Sequence, residues 1–320
     1  MKNLANSYIR YTDHLEQINR MAASQPIELI RLIEHSYRKS VELIAGEIAQ
    51  NVQSCRAVMI AGPSSSGKTT TSKILHEMLL DRGVHAVSVE MDRFYLGEGQ
   101  APMMENGKFD YESIHALNLP KMISCLKELM LTGKSLMPLF DFNARLPTKT
   151  KALVELKENE IAIIEGIHAL NPIITDHLPQ EALIKIYISV KQGIEGENGN
   201  ILTARDLRLI RRLVRDYNFR NCVPERTISM WEDICRGEDV HIDPYKRLSD
   251  YTVNSVHIYE PCVFCHTGIP LLNMVKEDGP YFDMAQRLVE GLRSFVPIDA
   301  QLVPKNSLLR EFYGGGSYSY

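Results

Sequence analysis

The apolar positions of this chain change period several times along its length. From Pro26 to Gln50 they fall at Ile30, Ile33, Tyr37, Val41, Ile44 and Ile48, in steps of three and four. That spacing predicts one amphipathic helix, with Ser24 as its cap and Pro26 in its first turn. A short apolar run follows at residues 58–61 and stops at Gly62. Residues 68–82 read as a helix closed by Gly83, and residues 84–90 as the next strand. A helix over 119–131, a buried strand at 161–164 and a strand at 184–190 come next. A helix over 203–217 and a strand at 252–259 follow. Strands alternating with helices predict an α/β fold, a parallel sheet covered on both faces. Residues 308–312 are read as a short docking helix, and the Gly/Tyr-rich end after them as a mobile tail.

One junction in this pattern carries chemistry. Residues 58–70 read VMIAGPSSSGKTT, a strand running into G-x-x-x-x-G-K-[ST] and then a helix. Such glycines let the backbone curl so that successive N–H groups face phosphate oxygens. The helix that follows adds its positive N-terminal end. Gly62, Ser64, Ser65, Ser66, Gly67, Lys68, Thr69 and Thr70 are therefore the candidate nucleotide-binding residues. Lys68 is placed to reach the β- and γ-phosphates, and Thr69 to ligate Mg²⁺.

Composition narrows the setting. The chain has 320 residues, 44% hydrophobic and 24% charged, with a formal net charge of −4. No broad basic field argues for nucleic acid as a partner, and no apolar run is long enough to span a bilayer. The first residues lack the apolar stretch of an export signal, and six cysteines form no disulfide scaffold, so a cytoplasmic setting is expected. Cys262, Cys265 and His266 match a haem-attachment spacing but are read as ordinary thiols beside a strand end. The Pro26–Gln50 helix is assigned to packing or to a dimer surface, which leaves a homo-oligomer open.

In parallel sheets ligands gather at the carboxyl ends of strands. Asp92 and Glu165 stand at two such ends. Asp92 is assigned to take the proton of an acceptor hydroxyl, and Glu165 to supply a second oxygen for Mg²⁺. Seven arginines occur between 203 and 226. Arg205, Arg208, Arg211, Arg212 and Arg215 fall within an arc of roughly 120° on a helix. The opposite side carries Leu207, Leu209, Ile210, Leu213 and Val214. An arginine face suits bidentate phosphate contact and predicts a lid over the triphosphate, with Arg208 on the nucleotide. Two Phe-Asp pairs, Phe109-Asp110 and Phe140-Asp141, with Arg145 nearby, suit a ring or sugar bearing hydroxyls.

With these residues placed, the chain resembles the phosphoribulokinase/uridine kinase family of P-loop kinases. The motifs run in order: GPSSSGKTT, Met-Asp92-Arg-Phe-Tyr95, Phe-Asp110-Tyr-Glu, Pro138-Leu-Phe-Asp-Phe142, Ile-Ile-Glu165-Gly and Arg208-Leu-Ile-Arg-Arg-Leu-Val-Arg215-Asp. The resemblance implies that Asp92 is the general base, that Asp110 contacts a ribose, and that Arg212, Arg215 and Arg220 belong to the lid and phosphate site. It implies a catalytic set of Asp92, Lys68, Arg212 and Arg215, and an acceptor set of Asp92, Tyr95, Asp110, Phe140, Arg145, Arg212 and Arg220. Its departures are local. Phe140 stands where uridine–cytidine kinases carry a Tyr, Arg145 where they carry a His, Cys222 at an arginine position and Met230 at a base-contacting Gln. The closest likeness is a bacterial uridine kinase-like subgroup. The organisation expected is an N-terminal helical extension over 1–50, a P-loop kinase domain over 51–300 and a C-terminal tail over 301–320.

The function expected is ATP- and Mg²⁺-dependent phosphoryl transfer to a hydroxyl of a small nucleoside-like acceptor. One alternative is a kinase for another small alcohol or sugar phosphate, with Arg145 meeting an anionic acceptor. Another is an ATP-binding regulatory or RNA-associated module with little turnover.

Overall fold

A computed structural model describes residues 13–142 and 144–319. The first twelve residues of the expected N-terminal extension lie outside the described residues. The chain enters through β1 (Asp13–His14), α1 (Leu15–Ser24) and α2 (Pro26–Gln50). The phosphate loop joins β2 (Ala57–Ala61) to α3 (Lys68–Leu80), and β3 (Ala86–Glu90) follows. Next come α4 (Leu119–Thr132), β4 (Lys134–Asp141), β5 (Leu146–Glu155), β6 (Ile161–Glu165) and the short α5 (Pro172–Thr175). Then come β7 (Leu183–Ser189), β8 (Ile194–Gly196), β9 (Gly199–Leu202) and the arginine helix α6 (Ala204–Arg220). The last elements are α7 (Pro224–Ser229), α8 (Trp231–His241), β10 (Tyr251–Asn254), α9 (Glu260–Leu272), α10 (Phe282–Arg293) and α11 (Arg310–Tyr313).

The central sheet has five parallel strands in the order β10-β7-β2-β6-β3. Its inner strands β2 and β6 are buried along their whole length, as a sheet sandwiched by helices requires. Period-two alternation sends Val58 and Ile60 of β2 into one core and Ala57, Met59 and Ala61 into the other. The first core holds α2, α3, α6, α9 and α10; the second holds α4 and the base of the β4–β5 hairpin. Ile30, Tyr37, Val41, Ile44 and Ile48 of α2 are buried there, five of the six positions that its pattern marks, and Ile33 is partly buried. Leu308, Leu309 and Phe312 from the C-terminal segment join the same core.

Three expectations are corrected. The strand expected over 252–259 ends at Asn254, where the Asn254 side-chain oxygen accepts the N–H groups of Lys191 and Val256 and turns the chain toward α9. The β4–β5 hairpin went unpredicted, because β5 is polar and largely exposed and shows no clean alternation. The C-terminal end is tied down rather than free. The Ser317 N–H reaches the Lys305 carbonyl at 2.8 Å, and the Tyr318 hydroxyl reaches Glu77 at 2.7 Å.

Candidate active site

The phosphate loop leaves the centre of the sheet, between β7 and β6. Only glycine fits at position 62, since a Cβ there would stand 2.0 Å from the Ile188 carbonyl oxygen. Gly67, at φ +87°, turns the chain into α3 in a conformation that suits glycine. The first intrahelical bond runs from Thr71 N–H to the Gly67 carbonyl at 3.0 Å. The N–H groups before it are not bonded within the helix, and that of Thr70 donates to Glu311 at 3.2 Å. The Lys68 ammonium donates to the Pro63 carbonyl at 3.1 Å, folding back over the loop. Burial lowers its pKa, and the carboxylates of Glu165 and Asp92 oppose that shift.

Glu165 ends β6 beside the loop, in register with Ile60 of β2 and Glu90 of β3. The Thr69 hydroxyl donates to one of its oxygens at 3.2 Å. The other oxygen is buried with no hydrogen-bond partner. Removal from water pushes this carboxyl up to about 7. An unpartnered oxygen beside a hydroxyl is a donor set that fits a hard divalent cation. Among the described residues no cluster of three His, Cys, Asp or Glu side chains is poised for a metal.

Asp92 lies in a 3-10 turn, Met91–Phe94, directly after β3. Burial raises its pKa, and Lys68 works against the rise. The Tyr95 hydroxyl donates to the Tyr111 carbonyl at 3.3 Å, and its ring packs 6.0 Å from Phe140, which meets Phe142 edge-on.

Helix α6 begins at a capping box between Thr203 and Asp206 and ends at Asn221 in the left-handed region. It lies across the phosphate loop. Arg208 donates to the Ser64 carbonyl at 2.9 Å, Arg212 to the Ser64 hydroxyl at 2.6 Å, and Arg211 to the Ser65 carbonyl at 3.4 Å. Arg208 and Arg211 are buried, held by Glu238 and by Glu260. Asp216, buried on the same helix, takes Arg212 at 3.2 Å, Arg215 at 2.7 Å and Arg220 at 3.7 Å. Burial draws Arg212 below the ordinary guanidinium value, while Arg220 is more than half exposed. Arg205 is apart from this group, ion-paired with Asp239 at the surface.

Asp110 is held from two sides. One oxygen accepts the Glu112 N–H at 3.2 Å, and the other lies 3.0 Å from the His241 ring at the end of α8. Glu112 is pushed up to about 7 by burial, offset by Arg212 and Lys68. Arg145 is not gathered with these groups. It sits at a turn with φ 54°, about half exposed, paired with Glu98 at 3.0 Å.

Sequence reasoning missed Glu112, Asp216, His241 and Glu260. Glu112 and Asp216 stood inside quoted motifs and were given no role. Nothing in the spacing of His241 or Glu260 connects them to partners on other elements.

Residues 57–259 match the Phosphoribulokinase / Uridine kinase family. A uridine kinase of Geobacillus sp. is 26% identical over 61% of this chain and 83% of its own length. Uridine kinases of Lactobacillus johnsonii and Clostridium botulinum are 28% and 29% identical, over 63% and 61% of this chain and 88% and 85% of their own lengths.

Proposed function

Because the chain belongs to the Phosphoribulokinase / Uridine kinase family, as an ATP-dependent kinase, we propose that it phosphorylates a hydroxyl of a neutral, nucleoside-like acceptor with the help of Mg²⁺. The observation that carries this reading is convergence. Lys68, the Thr69–Glu165 pair and Asp92 leave the carboxyl ends of β2, β6 and β3, three adjacent strands. The loop amides and Lys68 hold the phosphates. Thr69 and Glu165 would hold Mg²⁺, which would supply charge neutralisation of the phosphates there. Asp92 receives the acceptor proton, and its raised pKa makes it the better base for that task. Arg212, steadied by Asp216, stands over Ser64 with Arg215 and Arg220 beside it, where charge develops on the transferred group.

The acceptor reading rests on Asp110, Tyr95 and Phe140, and on the kinase names of the relatives. The Arg145–Glu98 pair gives no support to an anionic acceptor. The burial of Arg208 and Arg211 gives none to an RNA-binding face.

The test is Asp92→Asn, assayed against nucleosides and sugar phosphates. It keeps shape and removes the proton acceptor, so kcat falls by about 100-fold or more while ATP affinity holds. A loss of ATP binding with kcat retained would make Asp92 a metal ligand instead.

A further inference from the structure

The C-terminal segment reaches the phosphate loop, and it lies outside the matched residues 57–259. Leu308 covers Gly67 so closely that a Cβ there would stand 2.4 Å from its Cδ1. Phe312 lies under the Arg211 guanidinium, 5.2 Å from ring centre to carbon. Between them Glu311, 9% exposed, places one carboxylate oxygen 3.2 Å from the Thr70 backbone nitrogen and 2.5 Å from the Thr70 hydroxyl.

The position of Thr70 gives this contact its meaning. α3 starts at Lys68, and the first N–H bonded within the helix is that of Thr71. The N–H groups of Lys68, Thr69 and Thr70 are therefore the donors that a helix start offers to anions. One of the three is filled by a carboxylate of the chain itself. That charge is also felt by its neighbours, since Glu311 opposes ionisation of Glu165 and favours the charged form of Lys68. A polyphosphate entering the loop meets a like charge and finds one donor taken.

We propose that Glu311 is an intramolecular competitor for the nucleotide, holding the Thr70 amide until a phosphate oxygen of ATP displaces it. Glu311 then sets ATP affinity from outside the family's matched region. The proposal rests on the ATP reading above and on no particular acceptor.

The alternative is a clamp that only braces the first turn of α3. Glu311→Gln separates the two, because glutamine keeps an oxygen for Thr70 and loses the charge. Full-length wild type and variant are titrated calorimetrically with MgATP, tripolyphosphate and adenosine. Competition predicts that the variant binds MgATP and tripolyphosphate about fivefold tighter or better, with adenosine unchanged. Unchanged or weaker MgATP binding in a folded variant overturns it. Hydrogen exchange on wild type gives a reading independent of the variant. MgATP should speed exchange at the Phe312, Gly314 and Ser317 amides, and protection that stays constant or increases overturns the proposal as well. If folded wild type binds no MgATP, the ATP reading itself fails and this inference with it.

Discussion

The Thr69 hydroxyl donates to a Glu165 carboxylate oxygen at 3.2 Å, joining the first turn of α3 to the end of β6. This one bond ties the helix that follows the phosphate loop to a strand at the heart of the central sheet. The second oxygen of Glu165 has no partner of its own, so the site holds a carboxyl that burial keeps close to neutral.

The first prediction follows from that carboxyl. Its pKa of about 7 in the folded chain lies above the unfolded value of about 4.3. The folded state thus keeps a proton that the unfolded state releases. Its stabilising effect is full below about pH 4.5 and is lost as pH rises through about 7. Glu165→Gln removes this loss and should stabilise the nucleotide-free protein at pH 8 by about 1–3 kcal/mol. Urea denaturation at pH 5 and pH 8 measures it. Glu112, also raised to about 7, leaves a residual slope in the variant. Equal stability losses between pH 5 and pH 8 in both proteins would remove Glu165 as the cause.

The second prediction concerns Asp216, buried among Arg212, Arg215 and Arg220. Asp216→Asn leaves the largely buried Arg212 and Arg215 guanidinium groups without their counter-charge, which costs about 2 kcal/mol or more. Activity should fall as well, because Arg212 loses the partner that holds it over Ser64. Denaturation and steady-state assays of the variant check both. A variant as stable and active as wild type would mean that the three arginines are positioned by something else.

How much of this was legible depends on the kind of signal. The placement of Lys68, Thr69 and Glu165 was legible because a loop between strand and helix, and a strand end, fix where side chains go. The helix 203–217 was legible from its two faces, but the depth of its burial was not. An arginine face reads as exposed until its partners are known. Glu238 and Glu260, which make burial of Arg208 and Arg211 tolerable, come from α8 and α9. Glu311 lies 241 positions from Thr70, and no local pattern connects them. Arg145 is the expected site residue to which the structure gives no support. Its sequence position beside Phe140 invited a role at the acceptor, while the turn geometry sends it to Glu98.

The third prediction takes up that residue. Arg145→Ala removes one exposed ion pair, worth about 0–1 kcal/mol. The acceptor KM should change by less than about twofold, because the group makes no contact with Asp92, Asp110 or Arg212. Kinetics on neutral and anionic acceptors give the answer. A large rise in KM confined to anionic acceptors would restore Arg145 to the site.

The last prediction concerns the contact between Asp110 and His241. In the proposed function Asp110 takes acceptor hydroxyls, yet it sits on a loop, where side-chain positions are least constrained. His241 ends α8 and lies 3.0 Å from one Asp110 oxygen. The other oxygen is fixed by the Glu112 N–H at 3.2 Å, so the carboxylate is braced on both sides. An acceptor met by a braced carboxylate loses less ordering entropy on binding than one met by a mobile one. His241→Ala should therefore raise the acceptor KM by about tenfold, with ATP affinity nearly unchanged. His241→Asn can still donate an N–H toward Asp110 and should recover part of that loss, which a purely packing role for the ring would not predict. The measurement is kcat and KM for acceptor and for ATP, taken separately in the three proteins. If KM for ATP rises as much as KM for the acceptor, His241 supports the fold at large, and Asp110 needs no brace.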